Sequence, residues 1–331
     1  MPTSLTDIAR RLDLSPSTVS KALNGYRDVS SDTRELVLRA ALELDYQPSS
    51  AARDLRRGRT DRIGLFLNTA LEYVVDYLSG IIPGAVRCSQ ECGKRLLIYT
   101  LTDNDPGQLL QVCRAGEIDG VILFSTHYDS HTIEALLEDD FPFVVMGRYI
   151  PDERVSCVVP DYYDGTRQIM DHLLGVGRRR IAFMTRPELT TANEARLQGY
   201  LDALATAEIA WDDRLIVETR LEPDSGVAPT RQLLALTPHP TAIVAAHDLV
   251  AVDVINTLQA AGLRVPQDVA VTGFDGLRAG FRTLPHISTV QQPLERIGER
   301  VVELVNRRLN EPAAPAVQET LPVQLVLRGS A

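Results

Sequence analysis

Apolar residues at Leu5, Ile8, Ala9 and Leu12 recur at i, i+3, i+4 and i+7, a stripe that predicts a short amphipathic helix behind a Ser4/Asp7 capping pair. Asp13 and Leu14 turn the chain. Ser15 is a good N-cap and Pro16 a favourable first residue for a second helix, whose inner stripe is Val19, Ala22 and Leu23 and whose end is marked by Asn24-Gly25. A third helix is expected from Ser31 or Asp32, with Leu36, Val37, Ala40, Ala41 and Leu44 turned inward. Two short helices joined by a tight turn, closed by a third, form a helix-turn-helix head.

The next stretch, "YQPSSAARDLRRGRT" (46 to 60), has a different character. A helix of about ten residues starting near Pro48 would be marginal alone in water and needs a partner to hold it. Leu55 is the one large apolar side chain of its arginine-rich part, as expected either of a wedge pushed between base pairs in a minor groove or of a linker leucine resting on the next domain.

Beyond residue 62 the period changes. Apolar runs at 63–68, 95–101, 119–125 and 143–148, then at 180–185, 215–220, 242–247 and 269–275, alternate with amphipathic segments. Two such series predict two doubly wound parallel sheets, completed by the segment "ISTVQQ" (287 to 292) and a last helix and strand. The fold class is therefore an all-α helix-turn-helix head on an α/β body of two parallel-sheet subdomains.

Charge sharpens this division. The 331 residues carry 34 basic and 44 acidic groups, a net charge of −10. Residues 1 to 62 nevertheless hold eleven basic groups against nine acidic ones, and five of the eleven lie between Arg53 and Arg62. A locally basic head on an acidic body suits a chain whose head alone meets phosphate. No run approaches the roughly 20 apolar residues of a membrane span, and the first residues lack a secretory h-region, so a cytoplasmic location is expected. Cys88, Cys92, Cys113 and Cys157 lack the spacing of a disulfide scaffold or zinc knuckle, so reduced thiols are expected, and "THYDSHT" (126 to 132) reads as a loop rather than a metal site. No metal and no cofactor is predicted.

The segments "LTDIARRLDLSPSTVSKALNG", "VSSDTRELVLRAALELDYQPSSAARDLRRGRT" and "IGLFL", and the closing "LPVQLVLRGS", resemble the lactose- and galactose-repressor (LacI/GalR) family of bacterial transcription regulators. The resemblance implies a helix-turn-helix domain over 1–46, a hinge helix over 47–61 and an effector-binding and dimerisation domain over 62–331. Its N-subdomain would take about 62–159 and 289–319, its C-subdomain about 160–288 and 320–331, with three crossings between them. It places Pro16, Ser17 and Lys21 at base-reading positions and Leu55 at the minor-groove wedge. The candidate DNA-binding set is Thr6, Pro16, Ser17, Thr18, Ser20, Lys21 and Asn24 in the head, with Ser50, Ala51, Ala52, Leu55 and Arg56 in the hinge.

In open parallel sheets ligands sit beyond the carboxyl ends of the strands. Those ends supply Asn68, His127, Arg148, His247 and Asp275 as effector-binding candidates. By the resemblance, Arg196 in "EARLQGY" and Asp275 in "GFDG" match the family's pocket arginine and aspartate. His247 stands where the family usually has asparagine. Leu221 replaces a frequent aromatic, for which Tyr73 or Tyr77 is the candidate substitute. Carboxylate, guanidinium and imidazole together suit a hydroxyl-rich ligand.

The function expected is a sequence-specific DNA-binding regulator, a repressor, acting as a homodimer on a near-palindromic operator and controlled by a sugar or glycoside. The alternatives are a solute-binding protein of a transport system and a purine-responsive regulator of the same family. An enzyme is not expected: P-loop, GxSxG, HExxH and Rossmann motifs are absent. The chain ends soon after its last strand, so no tetramer-forming coiled coil is expected there.

Overall fold

The computed structural model describes residues 4–26, 28–46, 58–67, 71–101, 106–124, 130–187, 190–220 and 222–331. The chain divides into two compact units at Thr60/Asp61.

The first unit is a three-helix head. α1 (Leu5–Leu12) begins with a reciprocal capping box in which Ser4 and Asp7 satisfy each other's backbone N–H. α2 (Pro16–Leu23) follows Ser15, whose side chain accepts from the N–H of Thr18 at 3.0 Å. α3 (Ser31–Glu43) is capped by Ser30. Ile8, Ala9, Val19, Ala22, Val37, Ala40 and Ala41 form the core, with Leu5, Leu12, Leu14, Leu23 and Leu44 packed against it. Leu36 departs from expectation. It is 48% exposed, because the inward stripe of α3 runs through Val37, Ala40 and Ala41 and places Leu36 outside that face.

The second unit holds two six-stranded sheets. The first is built from β1 (Arg62–Leu67), β2 (Arg95–Thr100), β3 (Gly120–Phe124), β4 (Phe143–Met146), β5 (Cys157–Pro160) and the late β11 (Gln318–Leu321). Their order is β11-β5-β4-β3-β1-β2, all parallel. Helices α4 (Leu71–Glu91), α5 (Pro106–Arg114), α6 (Ser130–Glu138) and α11 (Leu294–Asn310) cover it. The second sheet contains β6 (Ile181–Thr185), β7 (Ile216–Glu218), β8 (Ala242–Val244), β9 (Ala270–Asp275), β10 (Ser288–Gln291) and β12 (Gln324–Val326), in the order β12-β10-β9-β8-β6-β7. Helices α7 (Tyr162–Gly175), α8 (Thr191–Thr206), α9 (Val227–Leu234) and α10 (Asp248–Ala260) pack on it. β12 runs antiparallel to β10, a departure from an all-parallel sheet.

The strand β5 is absent from the sequence reading. Its four buried residues sit between polar turns and are too few to show a period. Ser130 to Thr132, read as loop, open α6 instead.

Three short crossings link the sheets, after Pro160, Gln291 and Leu321. The second falls slightly later than the expected 289, because β10 pairs with β9 along its whole length. Each crossing leaves from the carboxyl end of a strand (β5, β10 or β11), where open parallel sheets hold their ligand cleft. Among the described residues no helix is long and apolar enough to cross a membrane.

Candidate effector site and nucleic-acid interface

In the body, the constellation gathers around Asp275, the last residue of β9. Its backbone has φ of 106°, followed by Gly276 at 76°, a turn that costs about 1 to 3 kcal/mol for a non-glycine residue and must be held by its contacts. Those contacts are present. Oδ1 accepts from Gln292 Nε2 at 2.6 Å, and Oδ2 lies 3.0 Å from His247 Nδ1. The Arg196 Nη2 stands 3.8 Å from Oδ1.

Arg196 is 5% exposed although charged. It lies on α8, which is started by the Thr190 cap and is drawn against α7 at Gly199, where a Cβ would stand 2.7 Å from the Tyr163 carbonyl oxygen. Its guanidinium carbon lies 4.2 Å from the Tyr162 ring centroid and 4.5 Å from that of Phe274. Two ring faces and one carboxylate offset the desolvation of this cation. Its Nε has no hydrogen-bond partner among the described residues.

His247 is the N-cap of α10, with a side chain 13% exposed. Burial lowers its pKa below the usual 6.5, and Asp275 opposes that only in part, so the ring is neutral at neutral pH. Its Nε2 is buried and also lacks a partner among the described residues.

The first sheet's side contributes through Tyr77 on α4. The Tyr77 hydroxyl donates to Gln292 Oε1 at 2.9 Å, and its ring lies 5.6 Å from Phe124 at the end of β3. Burial drives its pKa well above 10, with Tyr162 and Asp275 adding to the effect. The Tyr162 hydroxyl, at the first crossing, donates to the Gly147 carbonyl at 3.0 Å, and burial pushes it up to about 12. Tyr77, Gln292, Asp275 and His247 thus form a chain of hydrogen bonds reaching from α4, over the second crossing, to the second sheet.

Beneath this layer lies Asp248, wholly buried. It accepts from Leu277 N–H and from the Thr289 hydroxyl, both at 2.6 Å. Burial, and then the charge of Asp275, pushes its pKa up to about 8. A Cβ at Gly273 would fall 2.2 Å from its Oδ1, so glycine is required beside it.

Of the predicted effector residues, the structure brings Arg196, His247 and Asp275 together. Arg148 lies half-buried directly after the Gly147 carbonyl. Asn68, His127, Leu221 and the Tyr73 side chain lie outside the described residues. Tyr162, Phe274, Gln292 and Tyr77's bond to Gln292 are additions from tertiary structure. Gln292 carried one signal, its place just past a strand end. A separate recess of about 240 Å³ at the first crossing is lined by Tyr149, Val159, Tyr162, Thr191, Ala195 and Thr320. It lacks the convergent polar groups of the Asp275 cluster.

In the head, Thr6, Pro16, Ser17, Lys21 and Asn24 are exposed and Thr18 half-buried. Ser20 is corrected: at 7% exposure it belongs to the inner side of α2, next to Val19. The Lys21 ammonium bonds Asp28 Oδ2 at 2.5 Å, a bond that raises the lysine's pKa and lowers the aspartate's. The hinge candidates Ser50, Ala51, Ala52, Leu55 and Arg56 lie outside the described residues.

Comparison with known proteins accords with both units. Residues 4–49 match the bacterial regulatory proteins of the lacI family, and residues 170–331 match a periplasmic binding protein-like domain. The HTH-type transcriptional regulator CelR of Thermobifida fusca is 35% identical over 332 residues, covering 99% of this chain and 98% of that protein. The ribose operon repressor of Haemophilus influenzae is 32% identical over 93% of this chain and 92% of its own length. A solved complex of CelR with cellobiose superposes with a TM-score of 0.78 at 33% identity, covering 99% of this chain and 100% of that one. The chain therefore belongs to the LacI family, bacterial transcription regulators in which a DNA-binding helix-turn-helix head is governed by an effector-binding body.

Proposed function

We propose that this protein is a repressor whose operator affinity is set by a neutral carbohydrate, of the size and type of cellobiose, bound over Arg196, His247 and Asp275. The observation that carries the proposal is the buried polar cluster. It spans both sheets, is tied together through Asp275, and keeps one donor (Arg196 Nε) and one acceptor-capable nitrogen (His247 Nε2) without partners among the described residues. CelR's complex with cellobiose supports a sugar as the ligand class. The purine alternative is less favoured, since the 33% identical structural relative is bound to a disaccharide.

In the head, Thr6, Pro16, Ser17, Thr18, Lys21 and Asn24 form the proposed DNA face, Lys21 as the main hydrogen-bonding reader and Pro16 as an apolar contact. In the hinge, Leu55 is the proposed wedge, flanked by Ser50, Ala51, Ala52 and Arg56. The protein acts as a homodimer on a near-palindromic operator, and ligand alters the lobe geometry that permits paired hinge segments to fold in the minor groove.

The test is a thermal-shift screen of cellobiose, ribose, other sugars and purines, followed by operator binding with and without each hit. A sugar that stabilises the protein and changes operator affinity is the expected result. Stabilisation by purines alone, with operator affinity responsive to them, would overturn it.

A further inference from the structure

The two atoms of the Asp275 cluster that lack partners among the described residues are of opposite kinds, and this specifies the ligand further than its class. Asp275 is a carboxylate with a guanidinium beside one oxygen and an amide donor on it, so the proton in the 3.0 Å contact with His247 belongs to the imidazole Nδ1. A neutral imidazole carrying its proton on Nδ1 has a bare lone pair on Nε2. We infer that His247 is fixed as the Nδ1–H tautomer and presents Nε2 as a buried hydrogen-bond acceptor beside the Arg196 Nε–H donor, so that the ligand group seated there is a hydroxyl. This rests on the effector reading above and deepens it.

The physical reason is complementarity. A hydroxyl can accept from Arg196 and donate to His247, directly or through two neighbouring hydroxyls. A carboxylate or phosphate satisfies the guanidinium but sets its lone pairs against that of Nε2, and an ammonium reverses the conflict. A buried polar atom left facing a like partner loses its hydration without return. Among the described residues, the charged groups that act on the ring are Asp275 on β9, Arg196 on α8 and Arg186 after β6, and Asp248 follows it in sequence on α10. Burial and both arginines favour the neutral ring, and Asp275 orients it. An asparagine in its place would offer both a donor and an acceptor and impose no such sense. The histidine converts an adaptable contact into a one-way one.

The experiment uses the full-length protein with nitrogen-15-labelled histidine at neutral pH. Ring correlation spectra identify His247 by the signals lost in His247→Asn, a substitution that keeps a good N-cap. The expected pattern is a protonated Nδ1 and a deshielded, unprotonated Nε2, with Asp275→Asn moving the ring away from it. A proton on Nε2 overturns the inference.

Cellobiose and its monodeoxyfluoro analogues are then titrated calorimetrically, since fluorine cannot donate. At one position the fluoro analogue is expected to bind about tenfold more weakly, and that difference to vanish in His247→Ala. If cellobiose binds but leaves Nε2 unshifted and every fluoro analogue binds like the parent, the inference fails while the sugar reading survives. If the tautomer is as stated but cellobiose gives no heat, the cellobiose-type ligand falls and the assignment of Nε2 stands.

Discussion

Three residues concentrate the cost of this design. Asp275 turns through positive φ, Arg196 is a charge removed from water, and Asp248 is a carboxyl with no cation in hydrogen-bond reach among the described residues. The last has a measurable consequence. Between its ordinary 3.8 and about 8, folded Asp248 keeps a proton that the unfolded chain releases, so its contribution to stability falls as pH rises and levels off above about pH 8. Asp248→Asn removes that dependence. Its melting temperature relative to wild type should climb from about pH 5 to about pH 8, and a constant difference would show that the carboxyl is ionised in the fold. His247 works oppositely and on the acid side, destabilising the fold as pH drops below its ordinary 6.5 because only the unfolded ring takes a proton there. On the head, Lys21 is engaged by Asp28, which sets an acid beside the proposed DNA face. Asp28→Asn should strengthen non-specific DNA binding and steepen its salt dependence by about one phosphate contact per protomer. An unchanged slope in a salt titration would show that the pair is broken before binding at no cost.

At the scale of elements, α4 and α11, two of the helices that cover the first sheet, meet through reciprocal glycines. A Cβ at Gly84 of α4 would lie 2.0 Å from the Glu295 carbonyl oxygen, and one at Gly298 of α11 would lie 2.1 Å from that of Ile81. Backbone meets backbone there, so neither side can yield by a rotamer change. Gly298→Ala should cost about 1 to 3 kcal/mol or more in chemical denaturation. A value near zero would mean that α11 can slide along α4. This matters beyond stability, since α4 carries Tyr77 and α11 starts two residues after Gln292. Shifting their contact should therefore also perturb the cleft. In the head the corresponding device is a cap. Ser15→Ala removes the acceptor for the Thr18 N–H and should lower head stability by about 1 kcal/mol by thermal melting, without touching the body.

Across the whole molecule, the polar chain from Tyr77 through Gln292 to Asp275 and His247 provides a physical link between the two lobes at the place where the chain crosses. A ligand that completed the partners of Arg196 and His247 and bound one lobe arrangement more tightly than another would supply allosteric control, for which a coupling of about 1 to 3 kcal/mol suffices. Arg196→Ala should abolish the operator response to ligand while leaving operator affinity in its absence within about twofold of wild type, read by fluorescence anisotropy. Loss of both together would show that Arg196 holds the fold rather than the ligand.

How much of this was legible in the chain follows from the range of the forces involved. The head's helices, their Ser4 and Ser15 caps, and the alternation of strands and helices depend on neighbours within a few residues, and periodicity and cap chemistry report those directly. Arg196 and Asp275 were within reach because a motif surrounds each one. The inward turn of Ser20, the outward turn of Leu36 and the strand β5 were not, since each is set by a packing partner far away in sequence. Gln292 showed only its place past a strand end, and the Tyr162/Phe274 cradle of Arg196 showed nothing: these meet only once two sheets have been built and joined. Local order belongs to short-range backbone chemistry, whereas the direction of the proton between His247 and Asp275, 28 residues apart, exists only in the folded cleft.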